Sequence, residues 1–422
     1  MVHDTIKIAK PEAPGPSPRG NPDTSPISVT QSVYRFLNND HITLEALAQP
    51  LREAGSAAVM ETESSASLII HDWSKLHYGS HHAKKDTVQR SHEYDIGYEL
   101  SIMLLVSGDD GRPISPMETG LLTASGMLST NPHAVEEPHI DQVLTGMNCC
   151  KEYNINKILV HVVDREVDSA YHYRLWNERG YQYLVRGNDR IVKFRDEHVK
   201  LSEIVSRCRK SGGFEVTGRV KYKKLHAICS VCERSVVLDR PAHIRVEGRR
   251  REVAGEAITL RFVMTILTDE KTNEVLATWY LLTNVAKENA NTQMISQWYY
   301  WRWRIESYFK LLKGHGLEID HWQQQSGMAI ARRLLVSSMA CVAVWDLMAR
   351  DDEEANRMKD LLIQLSGRRM KRGVRCTAPA LLAGLFVLLP ILNFLGDEMG
   401  GMSITDLRQL ARRTIPLLNT NM

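Results

Sequence analysis

The sequence predicts an α/β protein with a mixed sheet flanked by helices, an all-β insertion and a helical C-terminal region. Buried strands alternate with helices before residue 210, β-branched residues alternate with polar ones over 214–284, and helical periodicity dominates from Gln293 onward. The chain has 422 residues. That length exceeds one compact core and indicates about two or three domains.

The composition is that of a globular chain. Apolar residues make up 43% and charged residues 24%, which excludes wholesale disorder. The net charge is only +3, yet residues 186–252 hold 18 Lys and Arg against 9 Asp and Glu. Positive charge is therefore concentrated in that stretch. The chain has seven cysteines, which is a low density and an odd number. A disulfide scaffold is therefore excluded, and a reducing compartment is favoured.

The termini predict no targeting segment. Residues 1–28 are rich in Pro, lack the apolar stretch of a secretory signal, and are expected to form a disordered tail. A short helical region is expected over 29–62, with a helix at 42–55. The apolar run 378–395 is about the minimum length for a membrane span. Because Pro390 interrupts it, a buried or partner-packed helix is favoured, and we expect a soluble intracellular protein.

Two strands in the first half lead to carboxylates. The stretch 65–74 is a continuous apolar strand that runs into Asp72. A second buried strand, 157–164, ends on Asp164 and is followed by a helix and a returning strand over 168–185. Such a crossover places Asp164 at the carboxyl end of a central strand, where open α/β sheets bind ligands.

The remaining elements follow from turn and break residues. Residues 94–106 and 113–124 flank a Gly-Asp-Asp-Gly turn and predict a hairpin. The all-β insertion extends from Phe214 to Asn284. Helices after Gln293 are expected to break at Gly314, Gly327, Gly367, Pro379 and Gly396.

The most informative segment is a predicted helix over 296–313. Four of its polar residues, Tyr299, Arg302, Glu306 and Lys313, lie within about 60° of one face. The opposing stripe is apolar and consists of Trp298, Trp301, Ile305, Phe309 and Leu312. The polar face suits either a solvated helix with i,i+4 pairs or a metal ligand beside a nucleic-acid backbone.

The polar face also carries a resemblance. Tyr299-x2-Arg302-x3-Glu306-x6-Lys313 reproduces the Y-x2-R-x3-E-x6-K signature, so the chain resembles the bacterial insertion sequence 4 transposases, cut-and-paste enzymes of the DDE type. Val163-Asp164-Arg165-Glu166 resembles the family's second catalytic aspartate segment, and Ile70-His71-Asp72 resembles the first. The resemblance extends over residues 34–395.

The resemblance implies a domain organisation. It implies a ribonuclease-H-like catalytic domain formed by 63–210 and 285–350, which a β-rich insertion at 211–284 interrupts. It also implies a helical dimerisation region at 351–422. The segment ahead of Asp72 is shorter than the family's end-recognition module. Two explanations stay open: the basic insertion recognises the element ends, or the chain is a truncated copy with impaired end binding.

The resemblance implies an activity as well. Asp72, Asp164 and Glu306 would be catalytic and would hold two Mg²⁺ ions, for which Mn²⁺ could substitute, because two-metal phosphodiester cleavage uses carboxylate ligands. The 3′-hydroxyl of the nicked strand would form a hairpin at the element's end. The hairpin would then be reopened, and the free end would attack target DNA. The residues implied to bind DNA are Tyr299, Arg302, Lys313, Trp279 and Arg165, with Trp279 stacking on an extruded base.

The implied partners are DNA and a second copy of the chain. The DNA comprises terminal inverted repeats and target DNA, and a homodimer would form in a synaptic complex through helices at 377–395 and 404–418. No membrane and no small-molecule substrate are expected, and the implied location is the bacterial cytoplasm, at the nucleoid. Two alternatives stay open: a catalytically impaired DNA-binding remnant and a structure-specific nuclease on the same fold.

A zinc site is the least favoured interpretation of the cysteines. Cys229 and Cys232, with His226, form only half of a zinc site. The histidines at 77, 81, 82 and 92 are expected to be solvated or to face DNA.

Overall fold

The computed structural model describes residues 26–89, 92–246, 249–314, 316–393 and 405. It shows a mixed α/β architecture with a large mixed sheet flanked by helices, which confirms the predicted class. The predicted tail lies outside the described residues as far as residue 25, and helix α1 (Pro26–Leu37) begins the described part.

Five strands form the centre of the sheet, in the order β4–β3–β1–β6–β7. Three of them are antiparallel neighbours: β1 (Ala66–His77), β3 (Ile96–Ser107) and β4 (Pro113–Thr123). Two more run parallel to β1: β6 (Ile158–Val163) and β7 (Gln182–Arg186). Two short strands, β2 (Val88–Gln89) and β5 (Gly126–Ser129), pair with β3 and β4. The predicted hairpin and crossover are both confirmed.

Strand β1 is longer than predicted. It pairs with β3 without interruption from Ser67↔Ser107 to His77↔Gly97, so its ladder continues past Asp72. Its parallel pairing with β6 ends earlier, at Ile70↔Val162. Asp72 is therefore a mid-strand residue that lies just beyond the end of the parallel ladder.

The strands after β7 extend the central sheet. First come β8 (Ile191–Phe194), β9 (Glu197–Lys200) and α5 (Leu201–Lys210). The β-rich segment, 211–284, then contains β10 (Glu215–Tyr222), β11 (Leu225–Leu238), β12 (Ala242–Val246), β13 (Arg249–Val253), β14 (Ile258–Asp269) and β15 (Val275–Thr283). Strand β15 pairs with β7, which joins the segment to the centre in a 13-stranded sheet. Strands β12 and β13 form a separate two-stranded sheet.

Helices pack on the sheet and form the last part of the chain that the structure describes. They are α2 (Leu44–Met60), α3 (His139–Cys149), α4 (Ala170–Glu178), α6 (Thr292–Trp301), α7 (Trp303–Lys313), α8 (Gly327–Ala349), α9 (Glu353–Ser366) and α10 (Ala378–Asn393). The single helix predicted over 296–313 is thus two helices that meet at Arg302. The Arg302 amide donates to Tyr299, and the Ile305 amide donates to Arg302, so i→i−3 bonds tighten this turn.

The β3–β4 turn docks on the start of this helical pair. Trp298 Nε1 donates to the Gly108 carbonyl over 3.2 Å, and Arg304 Nε donates to the Gly111 carbonyl over 2.7 Å. Gly111 has a φ of +68°, and a Cβ there would lie 2.3 Å from the Trp301 ring. Only glycine therefore fits this turn, which anchors α6 and α7 against the sheet.

Helix α8 is the most apolar of the long helices. By length and composition it could cross a membrane, but 78% of its apolar window is buried inside the structure. It also carries two buried arginines. Arg332 Nη1 donates to the Leu37 carbonyl over 2.8 Å, and the Arg333 guanidinium lies 4.3 Å from the Trp322 ring centroid. These contacts tie α8 to the N-terminal helices and to the loop after α7.

A buried histidine pair lies near the end of the parallel ladder of β1 and β6. His71 Nε2 and His161 Nδ1 are 2.9 Å apart and share a hydrogen bond. Burial lowers the pKa of His161 to about 3. Burial, together with His161, also holds the pKa of His71 well below its usual range. Both rings are therefore neutral in the folded protein at neutral pH.

We expect the free energy of unfolding to decrease as the pH falls below about 6.5. The unfolded chain protonates these histidines at their ordinary pKa, whereas the folded pair resists protonation, so the unfolded state binds more protons. Each histidine should contribute a slope of about 1.4 kcal/mol per pH unit between its two pKa values. Urea denaturation across this pH range measures the slope. His161→Gln should reduce it and the exposed-site control His82→Gln should not; equal slopes in both variants would contradict the assignment.

The cysteine pair does not form a metal site. Cys229 and Cys232 lie on β11 at an odd spacing, which places their side chains on opposite faces of the strand. The Cys229 thiol lies 3.8 Å from the Ser296 hydroxyl, whereas burial and the neighbouring Cys208 raise the pKa of Cys232 to about 11. This placement does not support a zinc site at these two cysteines.

Candidate active site

Strand register brings two aspartates to the same level of the sheet. The parallel ladder of β1 and β6 ends at Ile70↔Val162. Asp72 and Asp164 each lie two residues beyond that pair, so they stand side by side where the parallel ladder ends: Asp164 follows the carboxyl end of β6, and Asp72 lies within β1. This edge is where open α/β sheets place ligands.

Arg302 links these aspartates to the glutamate of α7. Its Nη1 lies 3.0 Å from Asp72 Oδ2, and its Nη2 lies 3.3 Å from Asp164 Oδ2. The same Nη2 lies 3.1 Å from Glu306 Oε1. Three carboxylates from distant parts of the chain thus surround one guanidinium, and Arg302 is only 5% exposed.

Asp164 has further hydrogen-bond donors of its own. The Tyr299 hydroxyl donates to Asp164 Oδ1 over 3.1 Å, and the Arg165 amide donates to the same oxygen over 2.7 Å. Arg186 Nη1 lies 3.8 Å away. Burial raises the pKa of Tyr299, and the nearby Asp164 raises it further, so the phenol stays protonated and donates. The predicted phosphate contact of Tyr299 stays a prediction, since its hydroxyl here addresses Asp164.

The two aspartates differ in acidity although they share Arg302. Burial raises the pKa of Asp72 to about 6, although Arg302 and the Trp73 amide oppose the rise. Burial also acts to raise the pKa of Asp164, but Arg302 and the neighbouring donors outweigh it, and the net shift is downward. Acidification therefore neutralises Asp72 first.

The carboxylates suit Mg²⁺ in kind. Carboxylate oxygens are the ligands that Mg²⁺ prefers in proteins. Within the described part of the chain, no group of three or more His, Cys, Asp or Glu is close enough to hold a metal ion. Instead, the Arg302 guanidinium fills the cationic position among the three acids. The three carboxylates are therefore of the right chemical type to bind divalent cations, and in this structure the Arg302 guanidinium lies between them.

A groove of about 1650 Å³ opens beside these acids, and Asp72 and Glu306 line it. Its basic lining residues are Arg112, Arg304, Lys310, Lys313, Arg368 and Lys371. Lys313 donates from its ammonium to the Lys75 carbonyl of β1. Burial lowers the pKa of Lys313, and Asp320 partly opposes the change. Lys313 therefore lies where the sequence predicts a phosphate contact, and that role stays a prediction.

Trp279 lies in the core. It is 3% exposed, and its ring packs edge-on against Tyr299, with 5.2 Å between the centroids. Tyr222 covers it from another side, with 6.4 Å between the centroids. Stacking on an extruded base would require these neighbours to move, so this role stays a prediction. Trp303, which is 36% exposed, is the more accessible tryptophan of this region.

A second cleft of about 360 Å³ adjoins the aspartates and contains the exposed Arg165. His139 also lines it and stacks on Trp73, with 4.1 Å between the centroids. Burial acts to lower the pKa of His139, but Glu166 and Glu99 outweigh burial and raise the pKa to about 9. The cleft therefore presents an imidazolium and arginine side chains beside Asp164.

No protein-family model and no curated protein matches the chain. Among solved structures, the chain is similar to a piggyBac transposase in a cryo-EM structure of its synaptic complex with hairpin DNA, with 8% sequence identity and a TM-score of 0.34. The match covers 90% of this chain and 63% of that one, so the chain spans less than two thirds of the transposase. At this TM-score the likeness carries no conclusion about function.

Two groups near the acids were missed from the sequence. Arg186 ends β7, the parallel strand next to β6, and its position after a buried strand was a usable signal. His139 had no such signal. Its place beside Trp73 and Glu166 arises from the packing of α3 against the sheet edge, which no local motif reveals.

Proposed function

We propose that the chain is a DNA transposase of the insertion sequence 4 type, which cuts element ends and joins them to target DNA. The observation that carries the proposal is the convergence of Asp72, Asp164 and Glu306 on Arg302. Acids that meet where a parallel ladder ends, beside a basic groove, are the groups that two-metal phosphodiester cleavage requires.

A ribonuclease-H-like catalytic domain, formed by 63–210 and 285–350, belongs to this proposal. The strand order supports it, because the antiparallel meander β4–β3–β1 continues into the parallel strands β6 and β7. The β-rich segment also enters the chain between Asp164 and the helix that carries Glu306. That is the order which the family resemblance implies.

The three acids would hold two Mg²⁺ ions, or Mn²⁺ in their place. Bound there, the ions would supply an activated water or 3′-hydroxyl and stabilisation of the leaving oxygen. Arg302 keeps three like-charged groups close together, since its guanidinium contacts all of them. Tyr299 fixes the orientation of Asp164 by donating to Oδ1.

Basic side chains flank the acids on both sides. Arg165 and Arg186 line the cleft beside Asp164, and Lys313 lines the groove beside Glu306. They are placed to bind phosphates and so to orient the backbone. Phosphate binding by Arg302, as the resemblance implies, would require its guanidinium to release at least one carboxylate.

A homodimer in a synaptic complex completes the proposal, because joining two element ends needs two active sites. Helix α10 supports an interface, since its Val387, Ile391 and Leu392 are 40%, 40% and 49% exposed. The second predicted helix, over 404–418, lies outside the described residues except for residue 405. The proposed setting is the bacterial nucleoid.

Lys313→Met should weaken DNA binding and lessen its salt dependence. The substitution keeps an apolar stem of similar length but removes one charge from the groove. Loss of one phosphate contact should reduce the slope of log K against log salt by about 0.9. Fluorescence anisotropy over a salt series measures it, with Lys210→Met on α5 as the control. An unchanged slope in Lys313→Met would count against a phosphate contact at this residue.

A labelled element end incubated with the protein and Mg²⁺ tests the function itself. Nicking, hairpin formation and joining to a second duplex support a transposase. Nicking without hairpin or joining indicates a nuclease on the same fold. Binding without any nicking indicates a remnant that has lost catalysis.

A further inference from the structure

A strongly basic segment connects α9 to α10. Residues 368–375, here called the basic segment, contain Arg368, Arg369, Lys371, Arg372 and Arg375 and no acidic residue. Helix α9 ends just before it at Ser366 and is capped by Gly367, whose φ is +64°. The Val374 amide closes a turn by donating to the Lys371 carbonyl over 3.0 Å. The segment is therefore an ordered turn between two helices rather than a continuation of either.

The fold does little to neutralise three of these charges, those of Arg369, Lys371 and Arg372. Arg375 Nη2 lies 3.7 Å from Asp360. Among the described residues, no carboxylate lies within 4.0 Å of the cationic groups of Arg369, Lys371 or Arg372, and all three side chains are exposed. Like charges held this closely repel one another, and a polyanion would relieve the repulsion.

The basic segment shares its groove with the acids. Arg368 and Lys371 line the same groove as Asp72 and Glu306. Lys310 and Lys313 of α7 line it as well, one and two turns beyond Glu306. Positive charge thus continues along the groove from the acids, over α7, to the basic segment.

We infer that the basic segment binds the sugar-phosphate backbone of the DNA that leads away from the acids along this groove. The inference rests on the proposed function, because it takes DNA as the substrate. The segment would add phosphate contacts at a distance from the cleavage point, which position the duplex without reading its sequence.

An anionic membrane is the competing partner. A basic segment followed by an apolar helix is also the pattern of membrane-surface attachment. The exposed apolar residues of α10, however, begin at Val387, whereas Arg368 and Lys371 line the groove with the acids. The placement therefore favours DNA.

The full-length triple variant Arg369→Gln, Lys371→Gln, Arg372→Gln tests the inference. Against a fluorescein-labelled duplex, the slope of log K against log salt should fall by about 2–3, and Kd should rise by about tenfold or more. The matched control Lys200→Gln, Arg209→Gln, Lys210→Gln removes the same charge from exposed positions on β9 and α5. It should change the slope by clearly less.

Two results would overturn the inference: a wild-type slope in the triple variant, or equal losses in both triple variants. Binding to phosphatidylserine vesicles that the triple variant loses, with DNA binding intact, would assign the basic segment to a membrane instead. The proposed function fails separately, through absence of Mg²⁺-dependent nicking by the wild-type protein. If the wild-type protein does not nick DNA, but the salt dependence of DNA binding falls in the triple variant only, the inference holds and the proposed enzymatic function fails.

Discussion

Glu306→Gln should abolish Mg²⁺-dependent nicking while leaving DNA binding intact. The amide keeps the shape of the side chain and can still accept from Arg302, but it removes the charge that a divalent cation needs. Changes one layer outside a metal site already reduce activity by about 10–100-fold, so loss of a direct ligand should exceed about 100-fold. The Glu306 side chain is 33% exposed, so we expect little change in stability. Gel analysis of nicking and anisotropy on the same duplex measure the two effects.

The control for this variant is Glu354→Gln on α9, an exposed residue that makes the same change of charge. It should nick at the wild-type rate. Cleavage by Glu306→Gln within a few-fold of the control would contradict the assignment of this carboxylate as a metal ligand. A lowered thermal midpoint with lost binding would also contradict it, because the residue would then serve the fold.

The level of the two aspartates on the sheet was only partly predictable. The apolar run before Asp164 ends on that residue, and a helix and a strand follow, so its place at a strand end could be inferred locally. Asp72 was predicted at a strand end too, but β1 continues to His77. Its extension depends on pairing with β3, and the residues that supply those hydrogen bonds lie about one hairpin away in sequence.

Helical periodicity predicted the shared face of Tyr299, Arg302, Glu306 and Lys313, and the opposing apolar stripe is buried as predicted. It did not predict the partners. Arg302 contacts Asp72 across 230 positions of sequence, and Tyr299 contacts Asp164 across 135. Their residue types suggested that these side chains bind phosphates, whereas in the structure they contact carboxylates. Long-range packing decides which charged groups meet.

The position of the basic surface beside the acids was likewise not predictable from the sequence. The sequence places its positive excess at 186–252, yet the groove beside the acids takes its basic residues from other segments. Arg112 comes from the β3–β4 turn, Lys310 from α7 and Lys371 from the basic segment. Counting along the chain cannot reveal a surface assembled from separate elements.

Arg302→Met should destabilise the protein, and Mg²⁺ should restore much of the loss. Removing the guanidinium leaves three carboxylates facing one another around a side-chain position that is 7% exposed. Breaking a buried charge cluster costs about 3–5 kcal/mol, and the partial exposure of the acids should reduce this to about 2–4 kcal/mol. A divalent cation that binds the folded state can replace the lost positive charge and stabilise by mass action. Thermal midpoints with EDTA and with Mg²⁺ measure both effects.

Arg261→Met is the matched control, because the Arg261 side chain is only 12% exposed and its Nη2 lies 2.8 Å from Glu233. That site offers one carboxylate where the Arg302 site offers three, so the control should be destabilised without any recovery in Mg²⁺. The comparison removes general salt effects, since both variants lose the same charge from a similarly enclosed position. Greater recovery in Arg302→Met than in wild type would show that a divalent cation binds the three acids and can supply the positive charge that the guanidinium provides. Equal responses of the two variants to Mg²⁺ would mean that the acids do not hold the ion, and the cleavage chemistry would lose its cofactor.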